Sequence, residues 1–390
     1  MRRNRECIME KDLLDKIIAL RKKLHEIPER SLAETKTKQT LMQFLQENTT
    51  LSIVDCGKWF YAVRKADVGD RKAPVAFRAD MDAVCAKGGQ PGHYCGHDGH
   101  SSILAGLALY LDKGKTELNR DVYFIFQPAE ETGQGAKLCL PLLEEKKIGE
   151  IYGLHNIPGY PKNHILIKEG TFACASTGLE ICMTGTPSHA AYPEAGKNPG
   201  FALAKLLLEV EKLTEQVNET GGFVRMTLIG MEIGSESYGV SASDGVLRLT
   251  VRGERECIFE EYVTAIKELA KERAKEENLT LAIHEIERFP ATENHMDSVK
   301  KLRACAAKQG LPVTELKEPM RWSEDFGYYL QKTEGAFFGI GDGEDHVQLH
   351  TEQYEFPDEI IETAVRMFGG LVCGYSQALN GSPHIHSSHL

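Results

Sequence analysis

Val122-Tyr123-Phe124-Ile125-Phe126-Gln127-Pro128-Ala129-Glu130-Glu131 is the stretch from which the fold of this 390-residue chain can be read. Its five apolar residues read as a strand that runs directly into a turn carrying two adjacent acids. Working outward, an apolar helix from Ser101 precedes it. A helix around Ala136 to Glu145 and a strand Ile151 to Leu154 follow it, and Pro74 to Phe77 reads as an earlier strand. Strands alternating with helices are the signature of an α/β sheet layered by helices. Asp80 follows one strand, Gln127 to Glu131 another and His155 a third. In open α/β sheets, sites gather at the carboxyl ends of strands, so these separate pieces should converge on one crevice.

A second dense stretch is His93-Tyr94-Cys95-Gly96-His97-Asp98-Gly99-His100, with five potential metal ligands in eight residues. A thiolate and an imidazole two positions apart can face one centre only if the backbone bends between them, which Gly96 permits. The segment leads into the helix from Ser101, for which a serine or aspartate cap is expected. Taken alone, a helix-capping histidine beside a core cysteine is an equally good reading. Only ligands from elsewhere in the chain can decide.

The remaining chain supplies both layers and candidates. Residues 11 to 26 form an amphipathic pattern ending before Pro28, and Thr35 to Gln46 reads as a second helix; Leu51 to Val54 and Trp59 to Val63 read as strands. From about Phe172 the texture changes. Strands at 179 to 184, 223 to 233, 246 to 252 and 279 to 286, with helices around 199 to 217 and 259 to 275, suggest a separate α+β unit with an antiparallel sheet. Near Pro290 the chain returns to the first domain through helices around 297 to 308 and 324 to 330, a strand Ala336 to Ile340 and a final helix from Asp358. The expected fold is therefore a two-domain α/β protein, with a catalytic domain in two parts (1–172 and 290–380) around an inserted α+β domain (173–289). Residues 381–390 read as a flexible tail.

Composition narrows the function classes. The formal net charge of −11 opposes nucleic-acid or anionic-membrane partners, because phosphate binding needs concentrated positive charge. No signal-peptide core follows the basic start and no run reaches membrane-spanning length, so a cytoplasmic location is expected. The ten cysteines are scattered without CxxC pairs, which favours reduced thiols.

The candidate ligands are Cys95, His97, one of Glu130 and Glu131, His155, and His350 in Val347-Gln348-Leu349-His350. One metal takes about four ligands in a closed site and three plus water in a catalytic one. Five therefore suit a two-metal centre with open positions. His93, His100 and Asp98 read as supporting or capping groups, and His164, His284 and His295 as surface or core residues.

Several motifs occur in order: His25-Glu26-Ile27-Pro28-Glu29, Phe77-Arg78-Ala79-Asp80-Met81-Asp82-Ala83, Cys95-Gly96-His97-Asp98-Gly99-His100, Phe126-Gln127-Pro128-Ala129-Glu130-Glu131, Gly153-Leu154-His155, Ser188-His189-Ala190-Ala191, Ser323-Glu324-Asp325-Phe326 and Leu349-His350. With these the chain resembles the M20 metallopeptidases over about residues 11 to 375, in particular the amidohydrolase branch of hippurate hydrolases, N-acyl-amino-acid deacylases and auxin-conjugate hydrolases. The resemblance implies that Cys95, His97, Glu131, His155 and His350 bind two divalent ions, zinc or manganese first, with cobalt or nickel also compatible. It implies Glu130 as general base, Asp80 as an aspartate that orients a ligand, and His189 as a donor to the developing oxyanion. Such a donor is worth about 3 to 4 kcal/mol. The substrate class implied is a small N-acyl amino acid or related amide. The inserted domain would serve as a lid and as the contact of a homodimer.

Two stretches depart from the family pattern. Only Ala83 to Gly92 separates Asp82 from His93, where a longer loop is usual, and Gly239-Val240-Ser241-Ala242 stands where the family carries Asn-Val-Ile-Pro. An expected asparagine contact to substrate is therefore missing. Three other readings compete: a dipeptidase with the same centre, a metal-dependent binding protein that has lost catalysis, and a nucleotide-binding enzyme suggested by Gly339-Ile340-Gly341-Asp342-Gly343. The last is weak, because no phosphate-binding lysine follows and a turn toward His350 explains the glycines.

Overall fold

Every residue of the strand Val122–Gln127 is buried, as is every residue of its neighbour Val75–Asp80. Unbroken apolar runs of this kind suit strands covered on both faces. The computed structural model describes residues 9–68, 72–85, 89–114 and 117–373. The expected tail, 381–390, lies outside the described residues. The chain divides into two units, one of Met1–Gly170, Asn294–Lys317 and Tyr329–Leu390, the other of Thr171–Glu293 and Glu318–Tyr328.

The first unit is built on an eight-stranded sheet in the order Ser52–Asp55, Phe60–Arg64, Val122–Gln127, Val75–Asp80, Glu150–Pro158, Glu334–Gly343, Ile165–Ile167, Val313–Glu315. The four strands from Val122–Gln127 to Glu334–Gly343 are mutually parallel. Phe60–Arg64 runs antiparallel beside them. Helix Lys11–His25 buries Leu13, Ile17, Leu20 and Leu24 in the same core that receives Ile103, Leu107 and Phe368. The helix expected over 136 to 145 is two short ones, Gly135–Cys139 and Pro141–Glu145, because Pro141 has no N–H to continue the first. The strands Ile165–Ile167 and Val313–Glu315 were not expected; three residues are too few to show a period. The glycine run 339–343 lies within the strand Glu334–Gly343 rather than in the expected turn.

The second unit is a four-stranded antiparallel sheet in the order Val224–Ile233, Asp244–Gly253, Ala175–Thr184, Thr280–Phe289. Burial alternates along Asp244–Gly253, so one face carries Leu247, Leu249 and Val251 into a core shared with helices Gly200–Glu219 and Glu256–Glu276. The segment 318–328, expected with the catalytic domain, groups with this unit. Met320 N donates to Phe172 O at 2.7 Å, and Arg252 donates to Arg321 O at 2.9 Å. None of the described helices is long and apolar enough to cross a membrane.

Candidate metal centre

Strand register in the first unit puts the candidate residues at one level. Asp80 pairs with Gln127, Arg78 with Gly153 and Gly339 with His155, so Asp80 and the Glu130–Glu131 turn at two strand ends come level with His155, which lies inside the strand Glu150–Pro158 rather than after it as expected. This is the crevice that the strand ends require.

Cys95 arrives from the loop before the helix His97–Lys113, and His97 is that helix's first residue. That helix starts four residues earlier than the Ser101 expected from its apolar pattern, and it has no side-chain cap. Its N-cap is Gly96 at φ 92°, a left-handed conformation in which an added Cβ would lie 2.5 Å from Asn156 Oδ1. Ser101 and Ser102 instead donate to the carbonyls of Asp80 and Asp98. The bend lets the thiol and the first helical imidazole face the same space.

Two tautomers are set by backbone carbonyls. His97 Nδ1 lies 3.0 Å from Asp82 O, and His155 Nδ1 lies 2.7 Å from Asn156 O. Each Nδ1 must donate there, which leaves the Nε2 lone pair for the centre. His155 Nε2 is 3.4 Å from Cys95 Sγ, and His350 Nε2 is 3.2 Å from the same sulfur. His97 Nε2 and Glu131 Oε1 are buried, make no hydrogen bond and lie 3.5 Å apart. Buried polar atoms are ordinarily paired, so two such atoms facing each other suit the binding of a cation.

The donors sort into overlapping groups, Cys95 with His97 and His155, and Cys95 with Glu131 and His350, each with ligand atoms within 4.8 Å of one another. Cys95 belongs to both. Glu130 groups with His97 and Glu131, its Oε2 3.9 Å from His97 Nε2. His350 sits at φ 61°, a conformation rare for a side-chain-bearing residue, and its N–H donates to Tyr94 O at 2.8 Å. Mixed sulfur, nitrogen and oxygen donors of this kind could hold zinc or a similar divalent ion.

The electrostatics show what the cluster is like with only protein charges present. Burial pushes the Cys95 thiol well above its usual range, with Glu131 and Glu130 adding to the effect. Burial likewise raises the Glu131 carboxyl to about 7. Burial opposes a charge on His97, yet Asp80, Asp82 and Glu131 push it up to about 10. His155 is held well below its usual value by burial and by the imidazoles of His100 and His97. A thiol and a carboxyl that resist ionising are groups that a bound cation would stabilise in their charged forms.

The surrounding residues correct one expectation. Asp80, expected to orient a ligand, lies 2.7 Å from His100 Nδ1 and accepts from Arg78 at 2.8 Å, while its approach to His97 is 3.9 Å. The residue that orients His97 is Asp82, whose carbonyl lies 3.0 Å from His97 Nδ1 and whose Oδ1 lies 3.3 Å away. The sequence signal for Asp82 was its alternation with Asp80 past a strand end. His100 has both nitrogens engaged, the second 2.6 Å from Asn156 Oδ1, and so supports the centre rather than binding in it. His25 and Arg21 face Asp98, at 2.8 and 3.7 Å.

His189 lies in the second unit, exposed on a two-residue strand Ser188–His189 paired with Val240–Ser241. The motif that carries it and the stretch that departs from the family pattern are thus strand partners. Its Nδ1 accepts from Ala191 N–H at 3.0 Å, so the neutral ring carries its proton on Nε2 and presents a donor outward.

The architecture and donor set define a metal-dependent hydrolase type of site, and comparison with known proteins agrees. The model of peptidase family M20/M25/M40 matches residues 76–373. An N-acetyldiaminopimelate deacetylase of Leuconostoc mesenteroides is 30% identical over 360 residues, covering 87% of this chain and 92% of that protein. An N-acetylcysteine deacetylase of Bacillus subtilis is 25% identical, covering 91% and 96%. Among solved structures, the Bacillus subtilis YXEP protein, described as a dinuclear metal binding peptidase from the M20 family, superposes with a TM-score of 0.79 at 25% identity over 94% of this chain and 98% of that one. The chain belongs to the M20/M25/M40 peptidase family. Within it, this protein is an amide-cleaving hydrolase of the amidohydrolase branch.

Proposed function

We propose that the chain hydrolyses the acyl amide bond of small N-acyl amino acids, using two divalent cations held by Cys95, His97, Glu131, His155 and His350 and Glu130 as general base. The observation that carries this reading is the pair of donor groups sharing Cys95, with Glu130 next to one of them. The relatives named for N-acetyldiaminopimelate and N-acetylcysteine support a short acyl group on an amino acid. When bound, the cations polarise the amide carbonyl and make water a stronger acid near neutrality.

The protein's own groups do the rest. Glu130 takes a proton from the water whose oxygen attacks the carbonyl carbon, then delivers that proton to the nitrogen as the C–N bond breaks. The products are a carboxylic acid and a free amine. Asp82 fixes the His97 ring so that its lone pair stays on the centre. His189 donates from Nε2 to the carbonyl oxygen as negative charge grows there. The second unit makes the contact of a homodimer, for which its exposed Leu228, Ile229, Phe201 and Leu208 suit an apolar partner surface. The cations are zinc or manganese first, with cobalt or nickel also compatible.

The test is a panel of acetyl-, benzoyl- and aminoacyl-amino acids with the cation-loaded protein, repeated after chelation. Cleavage of the acyl substrates that chelation abolishes is expected. Cleavage of aminoacyl substrates alone would make the chain a dipeptidase, and cleavage surviving complete cation removal would overturn the reading.

A further inference from the structure

Helix Thr35–Asn48 begins in an unusual way. Its N-cap is Glu34, yet the Glu34 side chain makes no cap hydrogen bond. The role falls to Glu29, whose Oε2 accepts from Thr37 N at 2.9 Å and from Thr37 Oγ1 at 3.0 Å. Glu34 is thereby released to point elsewhere. It is 4% exposed, and its Oε1 accepts from Ala129 N at 2.7 Å, across 95 residues of sequence, and from Leu32 N at 3.0 Å.

Ala129 immediately precedes Glu130 and sits at φ 50°, in the left-handed region that alanine rarely occupies. That conformation turns the chain so that Glu130 and Glu131 leave the strand end toward the cluster. It persists only if its surroundings insist on it, and the contacts around it do. Gln134 N and Gly135 N donate to Ala129 O at 3.2 and 3.0 Å, and an added Cβ at Gly135 would fall 1.6 Å from Pro128 O. On the other side of Glu130, Glu131 N donates to Asp82 Oδ2 at 3.0 Å, an oxygen that also accepts from Ser31 at 2.6 Å. Residues 29 to 34 therefore grip both ends of the Ala129–Glu131 turn, at Ala129 directly and at Glu131 through Asp82.

Burying a carboxylate for a helix start would be a poor arrangement, since an exposed serine or aspartate would cap better. Burial, with the nearby negative Asp82, pushes the Glu34 carboxyl up to about 7. An awkward acid kept on a strained peptide beside a proposed base has a role in the geometry of that base.

We infer that Glu34 is a positioning residue for the reaction, holding Ala129 in its left-handed conformation so that Glu130 is aimed at the attacking water. This rests on the reading of Glu130 as general base. The bond needs an acceptor at Oε1 and no charge, so Glu34→Gln should preserve it and Glu34→Ala should remove it.

The experiment compares Glu34→Ala, Glu34→Gln and Glu130→Gln in the cation-loaded full chain, measuring kcat, KM, cation content and hydrogen exchange of the Ala129–Glu131 amides. For Glu34→Ala we expect kcat to fall by about 10- to 100-fold, the scale of a misplaced catalytic group. KM and cation content should hold within about twofold, and the Ala129 amide should exchange at least about tenfold faster. Glu34→Gln should restore kcat and exchange to within about threefold of the parent. Glu34→Ala with parental kcat, or with slow Ala129 exchange, would overturn the inference, as would Glu34→Gln as impaired as Glu34→Ala. Active Glu130→Gln would instead refute the base assignment, so the two failures are told apart.

Discussion

The two units place their candidate residues differently. In the first, Cys95, His97, His155 and Glu130 are buried together, with His97 Nε2 and Glu131 Oε1 left without hydrogen bonds. In the second, the candidate His189 is exposed on a short strand, and that unit's core is an alternating sheet under two helices. Buried unpaired polar atoms cost stability, and a cation bound between His97 Nε2 and Glu131 Oε1 would offset that cost. An exposed donor costs little and can wait for substrate. The first region is therefore expected to be sensitive to cations, and the second to be sensitive only in turnover.

The sharpest way to break that contrast is Cys95→Ala. Because its sulfur belongs to both donor groups, activity should vanish and both cations should be lost on elemental analysis. Glu130→Gln comes next, with kcat down by about 10² to 10⁴ and cation content intact. His189→Ala should lower kcat by about 10² to 10³ and leave cation affinity unchanged. Cation loss in that variant would erase the distinction between the units. Asp82→Asn should weaken cation affinity by about 10- to 100-fold in a competition titration, through the loosened His97 ring.

The smallest effect is in protons. Cys95, held well above its usual range by burial, and His97, up at about 10, are both protonated near pH 8 in the cation-free protein. Each must shed its proton to bind, and Glu131, at about 7, adds another below that pH. Cation binding should release about two protons per chain at pH 8 and about three at pH 6, and affinity should fall as pH falls. Calorimetry in buffers of different ionisation enthalpy would read this. No proton release would contradict the burial of these groups.

Much of this is legible in the sequence. The apolar run at Val122 and its polar sequel at Gln127 gave away a buried strand with its site at the carboxyl end, and the position of Cys95 and His97 around Gly96 gave away a bend. The antiparallel sheet of the second unit showed in its strand and helix order. What escaped was set by contacts distant in sequence. The start of helix His97–Lys113 depended on a left-handed glycine rather than on a capping serine. The choice between Asp80 and Asp82 depended on which of them faced His97. The engagement of Glu34 with Ala129 joins positions 95 residues apart, and no local pattern announces it.

Two donor groups share Cys95, and each would hold one cation; a titration of the cation-free chain with zinc or manganese, followed by elemental analysis of the parent and of Cys95→Ala, tests this most directly. Two equivalents bound tightly by the parent and neither by the variant is the expected result. A parent that binds one or none, or a Cys95→Ala chain that still holds two, would contradict it.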